Sequence, residues 1–229
     1  MMKRFLFALL ILLGAAGVRG QQTVSGGNLA EFRRISLSGR LSVVLERVDS
    51  TEACSVSVDL NGEPADRMSW SVAKGELKIK TRLGRGNGNI PQVKIRYCEL
   101  DELSVSDADV RVDTLRGTKM DISLSGGKLY GAVVCRDLKL EAVSGSAVEL
   151  VGEADYLTLT ATNTSQVELL GFVSRSLDVR AAASAVASVR ATDRIVSNVQ
   201  TGAKVFYAGN PPLVRGSQSL GGVFSPIAE

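Results

Sequence analysis

The sequence contains no histidine. That absence removes Ser-His-Asp and Cys-His nucleophile activation, His-ligated zinc and haem, and ordinary imidazole acid–base chemistry. An enzyme built on this chain would have to work with carboxylates, Lys, Arg or Tyr. Aromatic residues make up only 5%, with Trp70 the sole tryptophan, which leaves little for the stacked aromatic platforms of a sugar-binding groove. Cys54, Cys98 and Cys135 form no CxxC pair and no zinc spacing. No block of like charge runs along the chain, so electrostatic nucleic-acid binding has no footprint. The apolar stretch from Phe5 to Val18 is shorter than the ~20 residues of a bilayer span.

What is present at the start reads as an export signal. Lys3 and Arg4 precede the apolar run Phe5 to Leu13, and small residues lead to a cut site after Gly20. Residues 1–20 are therefore expected to be a cleaved signal peptide, and the mature protein to be periplasmic, outer-surface or secreted. No cysteine lies near the cut, so a lipid-anchored form is not indicated. Without Lys3, Arg4 and Arg19 the 27 basic residues fall to 24, equal to the 24 acidic ones. Three cysteines in an oxidising compartment allow at most one internal disulfide. Cys54 with Cys98 is the pair lying wholly in the first portion, and a buried free thiol is an equal alternative for each.

The second half repeats itself. Ser106-Asp107, Ser125-Gly126, Ser144-Gly145, Asn163-Thr164, Ala183-Ser184, Thr201-Gly202 and Ser219-Leu220 open successive turns, with first residues 19, 19, 19, 20, 18 and 18 apart. Alternating stretches such as Leu138-Lys-Leu140, Leu157-Thr-Leu159 and Leu177-Asp-Val179 precede the turns. Val148-Glu-Leu150 and Val167-Glu-Leu169 follow them. Period-2 alternation puts the leucines and valines inside and Lys139, Glu141, Glu149, Asp178 and Arg180 outside. Gly152, Gly171 and Gly209 are expected to turn the chain at positive φ. Identical coils stacked about 4.8 Å apart need this repetition, whereas an antiparallel meander does not.

The expected fold is all-β: a right-handed parallel β-helix, or β-solenoid, with coils of about 19 residues. Residues 21–105 read as an irregular, β-rich N-terminal portion that continues into the solenoid and caps it. Its strands are expected at Ile35 to Leu45, Cys54 to Leu60, Met68 to Ala73, Leu77 to Thr81 and Val93 to Tyr97, with turns at Asn61-Gly62, Lys74-Gly75 and Gly84 to Asn89. Ile35-Ser36-Leu37-Ser38-Gly39 matches Ile122-Ser123-Leu124-Ser125-Gly126 letter for letter. The repeats occupy 106–224 and a short tail 225–229.

The signal peptide, the opening Phe32-x-x-Ile35-x-Leu37-x-Gly39 strand, the Gly75-x-Leu77-x-Ile79 strand and the Ser-Gly turns before Val or Leu together resemble a bacterial family. It is the putative auto-transporter adhesin domain called the head GIN domain, and the resemblance covers roughly residues 29–224. It implies a right-handed β-helix in a secreted or envelope protein. The adhesin label implies attachment, although a fold does not fix a function. Asp107, Thr164 and Ser184 depart from the Ser-Gly pattern.

Candidate chemistry is sparse. Asp101, Glu102, Asp107, Asp109 and Asp113 form the densest carboxylate group, which could be a Ca²⁺ site or, by default, a solvated turn. Glu149 and Glu168, stacked one coil apart with Arg111 and Tyr130 in preceding coils, have the spacing of a retaining glycosidase pair, but every surface ladder of a solenoid produces it. The run Gly84 to Asn89 lacks the Lys-Ser/Thr pair and helix of a phosphate loop. No catalytic, metal or cofactor-binding residue is therefore assigned and no cofactor is expected. The reading is a non-catalytic, adhesin-like exported protein that binds an extracellular protein or glycan and no nucleic acid. The alternatives are a β-helical polysaccharide lyase or hydrolase and a self-associating envelope module.

Overall fold

A computed structural model describes residues 23–26, 29–82 and 89–227. The expected signal peptide, most of the Gly84 to Asn89 run and the last two residues lie outside them. Among the described residues there is no α-helix; a single 3-10 turn, Ala65–Arg67, interrupts the strands. In chain order these are β1 (Thr23–Gly26), β2 (Arg34–Ser38), β3 (Ser42–Arg47), β4 (Ser55–Asp59), β5 (Met68–Ala73), β6 (Glu76–Thr81), β7 (Gln92–Tyr97) and β8 (Glu102–Ser106). The long strands follow: β9 (Asp109–Ser125), β10 (Lys128–Val143), β11 (Ala147–Ala161), β12 (Gln166–Ala181) and β13 (Val186–Gln200). The chain finishes with β14 (Lys204–Ala208), β15 (Leu213–Ser219) and β16 (Val223–Pro226).

The long strands stack in parallel as the repeat demands. Asp109, Lys128, Ala147, Gln166, Val186, Lys204 and Val223 pair in succession, so the coils advance by 19, 19, 19, 20, 18 and 19 residues. The last step departs from the expected 18. Gly222 N–H donates to the Ser219 carbonyl and Gly202 N–H to the Leu220 carbonyl, which makes Leu220-Gly221, not Ser219-Leu220, the partner of Thr201-Gly202. Phe224 therefore takes the place over Val205 and stacks on Tyr207, ring centroids 4.8 Å apart.

Each long strand bends midway, so a coil has two flat sides joined by two corners. Side-chain alternation along both sides sends one set of residues inward. Leu77, Ile35, Leu103, Ile122, Leu140, Leu159 and Val179 form one continuous buried column, which ends at Ser197 and Gly216. Beyond Gly216 the space is taken by the Phe224 ring. The matching pentapeptides occupy equivalent places, since Ile35 and Ile122 both flank Leu103.

At the first corner the chain reverses through two residues at positive φ, such as Ser144 and Gly145, Asn163 and Thr164, and Ala183 and Ser184. The bend in β11 needs Gly152, whose φ is +121° and whose Cβ would lie 2.1 Å from the Val133 carbonyl oxygen. Gly171 was expected to do the same in the next coil, but it is not at positive φ, and Gly152 instead pairs with Phe172. The twenty-residue coil shifts the bend by one position, and Phe172 goes inward there.

The first portion is more regular than expected. β2 and β3 are stacked in parallel against β8 and β9 on one side and against β6 and β7 on the other. The coil of β6 and β7 thus lies outside the one that precedes it in sequence. The expected strand Ile35 to Leu45 is broken at Gly39, where the coil turns. The N-terminal end of the stack is covered by antiparallel strands, β5 on β6, β4 on β7 and β1 on β4. The edges of β6 and β7 are covered there, with half-buried Trp70, Met68 and Val72 packed on the core. At the other end β15 pairs only with β13 and all seven of its residues are exposed.

Candidate functional site

Among the described residues a cleft of about 850 Å³ lies at the second corner of the first coils. Five segments distant in sequence build its walls. Arg33 and Arg34 enter β2, Arg47 ends β3, Lys74 sits in the β5–β6 turn, Glu99 to Glu102 link β7 to β8, and Arg116 to Asp121 form the bend of β9. They meet because β6, β2, β8 and the second half of β9 are adjacent in the stack, β6, β2 and β8 starting at this corner and β9 bending there.

Charge in the cleft is unevenly matched. Arg33 is paired with Glu99 at 2.9 Å and with Asp101 at 2.8 Å, and Lys119 approaches Asp121 at 3.6 Å. Among the described residues, Arg34, Arg47, Lys74 and Arg116 have no carboxylate within ion-pair distance. Arg34 donates instead to the Lys74 carbonyl at 2.6 Å and Arg47 to the Cys98 carbonyl at 3.3 Å. These bonds orient two guanidinium groups while leaving their charge unneutralised. In later coils the same corner carries paired cations, Arg136 with Asp137, Arg175 with Asp155 and Asp193, and Arg194 with Asp178, whereas Arg190, in the register column of Arg116, has no ion pair among the described residues. Glu31 and Glu102 line the same cleft without an ion pair among the described residues, so four unpaired cations face two unpaired carboxylates there. A planar guanidinium fork fits carboxylate, sulfate or phosphate oxygens.

The strands that form the cleft carry a serine face. Ser36, Ser104 and Ser123 form one outward column and Ser38, Ser106 and Ser125 the next, around a shallow groove of about 320 Å³ flanked by Lys80 and Glu141. Ser123 Oγ donates to Ser104 Oγ at 3.1 Å. Six hydroxyls at strand spacing on a flat surface offer donors and acceptors in a regular grid.

The residues singled out from the sequence are placed elsewhere or apart. Asp101 and Glu102 lie at the start of β8 and Asp107 just past its end, so strand length separates the carboxylate group instead of gathering it. Among the described residues no three His, Cys, Asp or Glu side chains converge as metal ligands. Glu149 and Glu168 are neighbours in register, with Tyr130 and Arg111 continuing the ladder, and Glu168 Oε1 accepts from the Leu170 amide at 3.2 Å. Trp70 belongs to the cap. The cleft itself was missed, because it depends on the coil of β2 and β3 being inserted between two later ones. The Arg33-Arg34 pair just before a strand and the repeated Ser-x-Ser were the signals available.

The sequence matches the model of the family described as "Putative auto-transporter adhesin, head GIN domain" over residues 31–211. A solved putative adhesin from Bacteroides fragilis shares 16% identity and a TM-score of 0.82, over 92% of this chain and 100% of that one. A putative lipid binding protein from Parabacteroides distasonis shares 20% identity and a TM-score of 0.66, over 93% and 98% of the two chains. A putative adhesin from Parabacteroides merdae shares 13% identity and a TM-score of 0.62, over 92% and 98%. At such identities the likeness is one of fold. No curated protein matches. No described helix is long and apolar enough to cross a membrane.

Proposed function

The chain belongs to the head GIN domain family of putative auto-transporter adhesins, and on that premise we propose that it is an exported, non-catalytic interaction protein whose partner is an acidic extracellular glycan. The observation that carries this reading is the cleft where Arg34, Arg47, Lys74 and Arg116, four cations without an ion pair, outnumber the unpaired carboxylates Glu31 and Glu102, opening on the strands that bear the six serines. The cations would hold the acidic groups and the serine grid the hydroxyls of an extended chain lying along the flat side. Flat faces bind by area and repeated polar contact and do not enclose a substrate, which is the ground for a binding role over turnover.

The test is an array of sulfated, uronate-bearing and neutral polysaccharides, with extracellular proteins and anionic lipid vesicles as comparison surfaces, one structural relative being named for lipid binding. Saturable binding to acidic polysaccharide without product release supports the reading. Preference for a protein or for vesicles, or release of shortened chains with or without Ca²⁺, contradicts it. A second reading, self-association, is favoured by the C-terminal end, where the edge strand β15 and the exposed Leu213, Val214, Leu220 and Val223, with Arg215 among them, leave an unpaired edge for a second copy. Concentration-dependent assembly lost on Val214→Lys would support it, and a monomer at all concentrations would exclude it.

A further inference from the structure

We propose that Cys54 and Cys98 form a disulfide that clasps the cap of the solenoid to the wall of the cleft. The two sulfurs are 3.3 Å apart. Cys54 immediately precedes β4 and Cys98 immediately follows β7, and these strands are antiparallel neighbours with Ser55 opposite Arg96. The cysteines therefore stand just past the last pair of the ladder, near enough for a small side-chain rotation to close the bond.

The surroundings are built around this contact. Cys54 is buried, its carbonyl accepting from the Leu29 amide at 3.0 Å. Cys98 is half-buried, its sulfur 3.6 Å from the Glu52 carbonyl and 3.8 Å from that of Asp49. The β3–β4 connection thus wraps the sulfur pair, and Arg96 is ion-paired with Glu52 across it. In the thiol state the Cys98 thiol is pushed up to about 11 by the Cys54 thiol and by burial. Oxidation removes both thiols from that arrangement.

The chemistry needs a disulfide oxidant, which an oxidising compartment supplies and a small-molecule disulfide can replace. The more accessible Cys98 loses its proton and its thiolate attacks one sulfur of the oxidant, releasing one thiolate. The Cys54 thiolate then attacks the Cys98 sulfur of the mixed disulfide, forming the Cys54–Cys98 bond and releasing the second thiolate. Two protons leave the protein and two electrons pass to the oxidant. The bond would close a loop from residue 54 to residue 98, spanning β4 to β7. It would also brace Arg47 and Glu99, the first bonded to the Cys98 carbonyl and the second next in the chain. The inference does not depend on the glycan reading.

The full mature protein is equilibrated with oxidised and reduced glutathione, quenched, denatured, alkylated without further reductant and weighed intact. One alkylated thiol per chain, mapped by peptide analysis to Cys135, is expected at an oxidising ratio, and the thermal midpoint should exceed that of the reduced protein by roughly 5–10 °C. Cys135→Ser should leave no alkylated thiol and the same midpoint shift, whereas Cys54→Ser and Cys98→Ser should each abolish the shift. Three alkylated thiols, a bond involving Cys135, or a persistent mixed disulfide at Cys98 would overturn the proposal.

Discussion

Leu140 lies directly on Leu159 in the parallel register, both fully buried, with Ile122 beneath and Val179 above. Neither has a partner on the opposite strand of a hairpin; each depends on the equivalent residue of the adjacent coils. A cavity at one level is therefore felt by both neighbours. Leu159→Ala should cost about 3 kcal/mol and Leu159→Asp should prevent folding, because an unpaired carboxylate enters the column. Lys139, on the outside and paired only with exposed Glu141, should tolerate replacement by alanine. Urea unfolding of the variants checks the contrast.

Corner conformations predict opposite outcomes for two small substitutions. Ala183 sits at φ +52°, a region that costs an L-residue of order 1 kcal/mol, so Ala183→Gly should stabilise by about 0.5 kcal/mol after the added unfolded-state entropy. Gly152→Ala places a Cβ against the Val133 carbonyl and should cost about 3 kcal/mol. Thermal midpoints of the two variants should move in opposite directions.

The repeat period, the buried columns and the turn positions were legible because stacking forces equivalent residues to recur. Leu138, Leu157 and Leu177 could be aligned without knowing the coil's shape. The final coil was misaligned because Gly221-Gly222 offers two frames, and the choice is made by Phe224 stacking on Tyr207. Gly171 misled for a related reason: residue type alone does not reveal that the longer coil moves its bend. The cleft was illegible because Arg34, Arg47, Lys74 and Arg116 become neighbours only through the insertion of β2 and β3 between later coils, which no local pattern encodes.

Stability should fall in alkali, with a definite sign. Burial pushes the Tyr97 hydroxyl up from 10.0 to about 12, and burial likewise raises the Cys135 thiol from 9.0 to about 11. Both groups hold their protons more tightly folded than unfolded. Their contribution is fully present below pH 9 and is lost as pH rises, first through the range 9 to 11 for Cys135 and then 10 to 12 for Tyr97. Denaturant midpoints between pH 8 and pH 11.5 should decline over this range, and Tyr97→Phe should flatten the upper part of the decline.

The most direct test of the account titrates an acidic polysaccharide against the mature protein and the double variant Arg34→Glu, Arg116→Glu, at low and high salt. Both side chains are exposed and have no ion-pair partner among the described residues, so the fold should survive with its thermal midpoint little changed. The account predicts saturable binding by the wild type that weakens as salt rises, and a loss of at least about tenfold in the variant from removing two charge-assisted contacts. Equal affinity of variant and wild type, with both folded, would contradict it.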